Sequence, residues 1–352
     1  MLGLGIVGTN YGGSVLLPAF RADARCAVIA LAGSDAARTA ERARAAGVRK
    51  AYGDWRALLE DKDVQAIAIA TPPALQKEIA CAALARGKPV FAEKPMAGTL
   101  ADARAMLRAA DASRLPAMID FGFHQIASWQ RAKHMLDDGA IGALRHIAVH
   151  WHVENYSTRM RLRNWKTLAA GGGGVLGNFV CHCFHYLEWF GGPVARLSAR
   201  LAGLPGDEDL QTTAAMALDF AAGHVASLSM SCASYLGGGH RIELYGEDGT
   251  LVLNNAGTDY MRGFELLYAK RPATVVTHVG VDDPFDAQYP DGRIAPVARL
   301  AKLFIDAIEK GGAAEPDFAA GYRVQQLIEA AQRSHREGKT IDVSPKLAEA
   351  NA

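Results

Sequence analysis

The residues of this chain best suited to chemistry are one lysine on a fixed turn and two histidines on one helical stripe. Lys94 lies in Glu93-Lys94-Pro95, which closes the apolar run Pro89-Val90-Phe91-Ala92. That run reads as a buried strand, and in a doubly wound sheet ligands bind outside the carboxyl ends of the strands. Pro95 fixes its own φ and restrains Lys94 to an extended backbone, so the ammonium is presented at that end. It can hydrogen-bond a substrate hydroxyl or a ribose; the plain alternative is a solvated lysine in a surface turn. Asn178, His182 and His185 stand at i, i+4 and i+7 of an apolar helix opened by Gly171–Gly174, so one face presents all three. Two imidazoles there can serve as general acid and base near neutral pH, or pack as satisfied polar residues under a sheet. Cys181-His182-Cys183-x-His185 also looks like a set of metal ligands. Neighbouring helical residues point apart, however, and further ligands at a recognisable spacing are missing. No metal is expected.

The elements that must position Lys94 alternate strand and helix. Leu2–Val7 is an apolar run ending in the turn Gly8-Thr9-Asn10-Tyr11-Gly12-Gly13, and a helix begins near Ser14 with Leu16, Leu17 and Phe20 on one side. Strands follow at Ala27–Ala32, Ala66–Ala70, Pro89–Ala92 and Ala117–Phe121, with a short piece near Ala51-Tyr52. Helices are expected over Asp35–Ala46, Ala74–Arg86 and Leu100–Ser113. This alternation predicts parallel strands joined by crossovers. The literal G-x-G-x-x-G match, Gly3 to Gly8, falls inside the first strand and cannot cradle a phosphate. The register that follows a strand and opens a helix is Gly8 to Gly13, with Asn10 in place of the second glycine. Asn tolerates left-handed backbone better than most residues.

This turn, with Thr71-Pro72 after the third long strand and Glu93-Lys94, is the candidate dinucleotide site: Gly8, Thr9, Asn10, Tyr11, Gly13, Thr71, Pro72, Glu93 and Lys94. An NAD-specific site places an acid about 20 residues further on, for the ribose hydroxyls. Gly33 stands there, followed by Ser34, Asp35 and Arg38. Without that carboxylate a 2′-phosphate is not repelled, and Ser34 and Arg38 can receive it. NADP is therefore expected over NAD, the alternative being that Asp35 only caps its helix and Arg38 is solvated.

After Phe121 the rhythm changes. A helix over Ser128–Asp138 precedes a strand over Leu144–Val153 and an arginine-rich loop, in which Arg163 and Trp165 are candidate substrate contacts. The glycine-opened helix runs to about Phe190. Alternating or apolar runs follow at Val194–Leu201, Thr212–Phe220, His224–Ser231, Arg241–Tyr245 and Thr250–Leu253, several parted by glycine-containing turns such as Gly246-Glu247-Asp248-Gly249. This predicts a largely antiparallel sheet, and helices Val297–Glu309 and Phe318–Arg336 close the chain. The fold class is an α/β Rossmann domain over residues 1–121, and an α+β domain with an open-faced, mixed, largely antiparallel sheet over 122–352.

Composition narrows the partners. The 352 residues exceed what one core usually serves, and half of them are hydrophobic. A net charge of +1 gives no basic field for nucleic acid. Five cysteines, an odd number, speak against a disulfide framework. No leader or membrane-length apolar stretch is evident, so a cytoplasmic protein without membrane or nucleic-acid partners is expected.

Five stretches carry a resemblance to a known family: the turn Gly8–Gly13, Ala70-Thr71-Pro72-Pro73, Glu93-Lys94-Pro95, Gly139-Ala140-Ile141-Gly142, and Gly171–His182. The turn Tyr245-Gly246-x-x-Gly249-Thr250-Leu251 joins them in order. Together they resemble the glucose–fructose oxidoreductase / inositol dehydrogenase family of NAD(P)-dependent oxidoreductases. The resemblance implies hydride transfer between nicotinamide and a secondary alcohol or ketone of a sugar, polyol or related molecule. It also implies a homodimer or homotetramer assembled through the sheet. Lys94 matches the family's active-site lysine and His182 its catalytic histidine, with His185 or Tyr186 in reserve. Asn178 stands where the family has aspartate, His185 where another aspartate is common, Gln76 where histidine is frequent, and His124, a candidate substrate contact, where arginine is usual. An asparagine orients an imidazole but stabilises its cation less than a carboxylate does. A dinucleotide-binding sensor without turnover is the alternative these departures leave open.

Overall fold

The computed structural model describes residues 1–168, 172–204 and 207–344. Gly171, the first glycine of the expected run, lies outside them. Two compact units divide the chain. Residues 1–122 and 288–325 form the first; 123–287 and 326–352 form the second. The first stretch ends beside the expected boundary, while residues 288–325 belong to the first unit rather than to one continuous second domain.

The first unit is built on six strands: β1 Leu2–Val7, β2 Cys26–Ala32, β3 Lys50–Tyr52, β4 Ala66–Ile69, β5 Val90–Ala92 and β6 Ala117–Ile119. They pair in the order β3-β2-β1-β4-β5-β6, every neighbour parallel. The sequence alternates because the sheet is covered on both faces: Leu4, Ile6, Ile67, Ile69, Val90 and Phe91 are all fully buried. The crossovers are helices α1 Leu17–Arg21, α2 Ala36–Ala45, α3 Trp55–Glu60, α4 Pro73–Ala85 and α5 Leu100–Ser113. Asp35 caps α2 by accepting from Arg38 N–H, and Thr99 caps α5. The short α3, six residues, spans too few turns for a helical period to show in sequence.

Residues 288–325 join this unit through aromatic packing. Phe20, Phe91 and Phe304 form an edge-on triangle with ring centroids 5.3, 6.3 and 5.8 Å apart. At the rim, Arg25 Nη1 reaches Asp306 at 2.7 Å and Glu309 at 2.8 Å. Both carboxylates lie on the helix Ile294–Lys310.

The second unit begins with α6 Ala127–Asp137, β7 Leu144–His152 and α7 Tyr156–Arg159. Then come α8 Cys181–Gly191, β8 Val194–Leu204, β9 Asp207–Phe220, β10 Val225–Ser231, β11 Gly239–Gly246, β12 Gly249–Asn255, β13 Glu265–Lys270, β14 Thr277–Val279 and β15 Ile341–Asp342. All nine strands form one sheet, ordered β14-β13-β12-β11-β7-β10-β9-β8-β15. Only β7 and β10 pair in parallel. Ile147, Val149 and Trp151 of β7 point to the buried face, and His146, His150 and His152 to the other. β14 and β15 went unread in sequence because they are short, and β13 because polar turns flank it.

Candidate active site

In the first unit the carboxyl ends of β1, β4, β5 and β6 gather the candidate groups. Gly8 ends β1 with φ +104°, and a Cβ there would lie 2.2 Å from Ala70 O. Only glycine fits this turn. Gly13 and Ser14 donate their N–H groups to Asn10 O at 3.1 and 3.0 Å. The helix opens as a π-helical turn, Gly12–Leu16, before α1. A Cβ on Gly12 would stand 2.7 Å from Ile6 Cγ2, whereas one on Gly13 would meet nothing within 4 Å. Close helix–strand packing is thus the duty of Gly12, although the register Gly8–Gly13 puts Gly13 at the third fingerprint position. The extra residue of the π turn causes the offset.

At the next strand end, Gly33 is crowded: a Cβ would lie 2.6 Å from Thr39 Oγ1. The missing carboxylate is therefore also one that has no room. Ser34 is exposed. Arg38 is exposed as well, 3.7 Å from Asp35. Arg42, one turn further along α2, does what sequence did not foresee. Its Nη1 donates to Thr9 Oγ1 at 2.7 Å and Asn10 Oδ1 at 2.6 Å.

Lys94 is held by a buried amide. Gln76, on α4 and fully buried, donates from Nε2 to Glu93 O at 2.9 Å and Pro95 O at 2.8 Å. One nitrogen clamps the carbonyls on both sides of the lysine, which a histidine with one N–H per ring nitrogen cannot do. Beneath it, Glu93 and Asp120 are buried neighbours on adjacent strand ends. Two acids placed so close in a buried setting disfavour carrying two charges together. Burial raises Asp120 above the usual carboxylate range, against the opposing pull of Glu93, the Lys94 ammonium and the Tyr11 hydroxyl. Tyr11 donates to Asp120 Oδ2 at 3.4 Å, so the glycine turn is tied to the end of β6.

In the second unit, α8 also follows a π-helical turn, Leu176–Val180. Asn178 sits in that turn, and His182 in the first turn of α8 is 8% exposed. His182 packs edge-on to Phe123, ring centroids 5.0 Å apart. His185 faces His124 at 5.2 Å. The two histidines therefore share a stripe directed at consecutive residues. The two positions at which the sequence departs from the resembled family, His124 and His185, thus lie side by side. Burial, then His124, pushes His185 well below the ordinary histidine range.

Tyr186 is not a reserve acid. Its hydroxyl lies 3.0 Å from both Cys183 Sγ and His240 Nε2, and burial raises it well above the usual tyrosine value. Cys181 Sγ donates to Gly177 O at 3.0 Å. These side chains diverge, and among the described residues no three His, Cys, Asp or Glu groups could hold a metal ion. Trp165 opens a short turn against the glycine run: a Cβ on Gly173 would meet Trp165 O at 2.2 Å. Arg163 is exposed beside it.

Comparison with known proteins settles the class. Residues 2–121 match the model of the oxidoreductase family with an NAD-binding Rossmann fold, and residues 129–252 match the GFO/IDH/MocA C-terminal domain. An uncharacterized oxidoreductase of Synechocystis sp. is 30% identical over 97% of this chain and 96% of its own length. The chain belongs to the GFO/IDH/MocA oxidoreductase family. Similar members include levoglucosan dehydrogenase of Pseudarthrobacter phenanthrenivorans, 26% identical over 86% of each chain. A D-apiose dehydrogenase of Paraburkholderia graminis is 25% identical over 100% of this chain and 91% of its own. The solved levoglucosan dehydrogenase complex with NADH superposes with a TM-score of 0.86, covering 97% and 99% of the two chains at 24% identity.

The GFO/IDH/MocA chain is thus an oxidoreductase with an NAD-binding Rossmann unit, and its residues fit a dinucleotide. Gly8 and Gly12 leave the turn bare where a side chain would obstruct. Thr71 Oγ1, at the carboxyl end of β4, is buried with no protein partner. No helix among the described residues is long and apolar enough to cross a membrane.

Proposed function

We propose that this protein moves a hydride between NADP(H) and a secondary alcohol or ketone of a sugar, polyol or related molecule. Lys94 carries the reading: it stands on the carboxyl end of β5, where ligands of this sheet type bind, and Gln76 fixes the backbone on both sides of it. The nicotinamide supplies or accepts the hydride. Lys94 hydrogen-bonds the reacting oxygen, and His182 takes or returns its proton while Asn178 orients the ring. His124, His185, Arg163 and Trp165 belong to substrate recognition. Gly8, Thr9, Asn10, Tyr11, Gly12, Gly13, Thr71, Pro72 and Glu93 hold the dinucleotide. The dehydrogenases of levoglucosan and D-apiose among the relatives support a sugar-like substrate. Cytoplasmic residence and a homodimer or homotetramer through the nine-stranded sheet complete the proposal, the latter checked by light scattering on the purified protein.

The preference for NADP rests on Gly33, which neither carries a carboxylate nor has room for one. Fluorescence titration should show NADPH binding several-fold more tightly than NADH, with Ser34→Asp reversing the order. The substrate is sought by following absorbance of the reduced nicotinamide against a panel of sugars, anhydrosugars and polyols. Asn178 favours a second reading, a dinucleotide sensor without turnover. Tight dinucleotide binding with no turnover across the panel, in both wild type and Asn178→Asp, would favour the sensor.

A further inference from the structure

Arg38 and Arg42 lie one turn apart on α2, yet their surroundings differ. Arg38 is exposed and sits beside the carboxylate of Asp35. Arg42 is half-buried and turned back onto the β1 turn, where its two acceptors, Thr9 Oγ1 and Asn10 Oδ1, are both neutral. No carboxylate among the described residues lies within ion-pair distance of it. Both acceptors are reached from Nη1, so the Nη2 and Nε hydrogens of a five-donor fork remain for a ligand. A cation held rigidly by neutral groups and left without a counterion is arranged for an incoming anion.

Its place says which anion. Thr9 and Asn10 follow β1 and Arg42 rises from the helix after β2, so the guanidinium spans the carboxyl ends of these two strands. In a doubly wound sheet the adenosine ribose lies there, with an acid for its 2′-hydroxyl or an arginine for its 2′-phosphate. Gly33 leaves no acid. We infer that Arg42, propped by Asn10 and Thr9, is the residue that reads the 2′-phosphate of the dinucleotide, and that Arg38 is not. This gives Asn10 a purpose in place of the second fingerprint glycine: it is the strut that holds the guanidinium. The inference rests on the NADP reading above and names the residue responsible for it.

Binding measurements decide it without reference to turnover. NADPH, NADH and adenosine 2′,5′-bisphosphate are titrated by calorimetry into wild type, Arg42→Met, Arg38→Met and Asn10→Gly. Charge-assisted hydrogen bonds of this kind carry about 10- to 100-fold each. Arg42→Met should therefore weaken NADPH and the bisphosphate by about 100-fold while changing NADH less than about 3-fold. Asn10→Gly should lose part of the same preference, and Arg38→Met little. If wild type prefers NADPH but Arg38→Met removes the preference and Arg42→Met does not, the inference falls and the NADP reading stands. Equal weakening of NADPH and NADH by Arg42→Met also overturns it. A wild type that prefers NADH overturns both. Should Arg42→Met fail to fold, Arg42→Lys, which keeps the charge without the fork, must show a selective partial loss of NADPH affinity; unchanged selectivity there sinks the inference.

Discussion

His240 should make the fold acid-sensitive by an amount that can be worked out. Its ring is stacked on Trp151 at 4.1 Å and 4°, its Nε2 lies 3.0 Å from Tyr186 Oη, and its Nδ1 is buried with no protein partner. Burial lowers it from 6.5 to about 3. Below pH 6.5 the unfolded chain takes a proton that the folded chain refuses, so stability present at neutral pH is lost as pH falls toward 3. Each pH unit in that window costs about 1.4 kcal/mol. Lowering pH from 7 to 5 crosses roughly one and a half units of it, or about 2 kcal/mol. Urea unfolding of wild type and His240→Gln at both pH values isolates this amount, because fixed packing losses and the other histidines cancel in the difference. The variant should lose about 2 kcal/mol less than wild type over that interval. Equal losses in the two proteins would show that His240 either accepts its proton in the fold or contributes nothing to acid sensitivity.

Lys94→Ala should leave the melting temperature within a few degrees and cut turnover about 10²- to 10⁴-fold; unchanged turnover would remove the lysine from the mechanism. His182→Ala should cost far more turnover than His185→Ala, and the reverse order would mean the roles sit on the other histidine. Gln76→Leu leaves two buried carbonyls without their donor, so the fold should lose about 2–4 kcal/mol in denaturant titration, with kcat falling as the lysine turn loosens. For Asp120 the raised pKa means stability is greatest below the ordinary carboxylate range and is lost as pH rises. Asp120→Asn, a neutral isostere, should therefore gain in melting temperature relative to wild type as pH rises through and above the ordinary carboxylate range; a difference that stays constant from pH 3 upward would refute the raised pKa.

The parallel sheet was legible because buried strands and amphipathic crossovers alternate with clear punctuation, down to Asp35 capping α2 and Gly47 following its end. Lys94 and the stripe of His182 and His185 could be found because strand end and helical period are local signals. Arg42, Asp120 and the clamp of Gln76 could not. Each acts on a residue 17 to 109 positions away, and nothing in their own neighbourhoods marks them. The return of residues 288–325 to the first unit depends likewise on Phe304 meeting Phe20 and Phe91, a long-range match that periodicity cannot encode.

Both glycine-opened helices begin with a π turn, Gly12–Leu16 and Leu176–Val180. Such a turn carries one residue more than the α-helix that would otherwise form, and a residue is worth about 100° around the axis. Deleting a single residue there would let the segment relax into regular helix. If the residue lost lies between them, Asn178 would then swing about 100° relative to His182, and the side chains after Gly12–Leu16 would turn in the same way relative to Asn10. At these two places the frame of side chains depends on length rather than on identity. A one-codon deletion, with neither residue's own chemistry lost, is the smallest lesion that would re-aim Asn178 relative to His182.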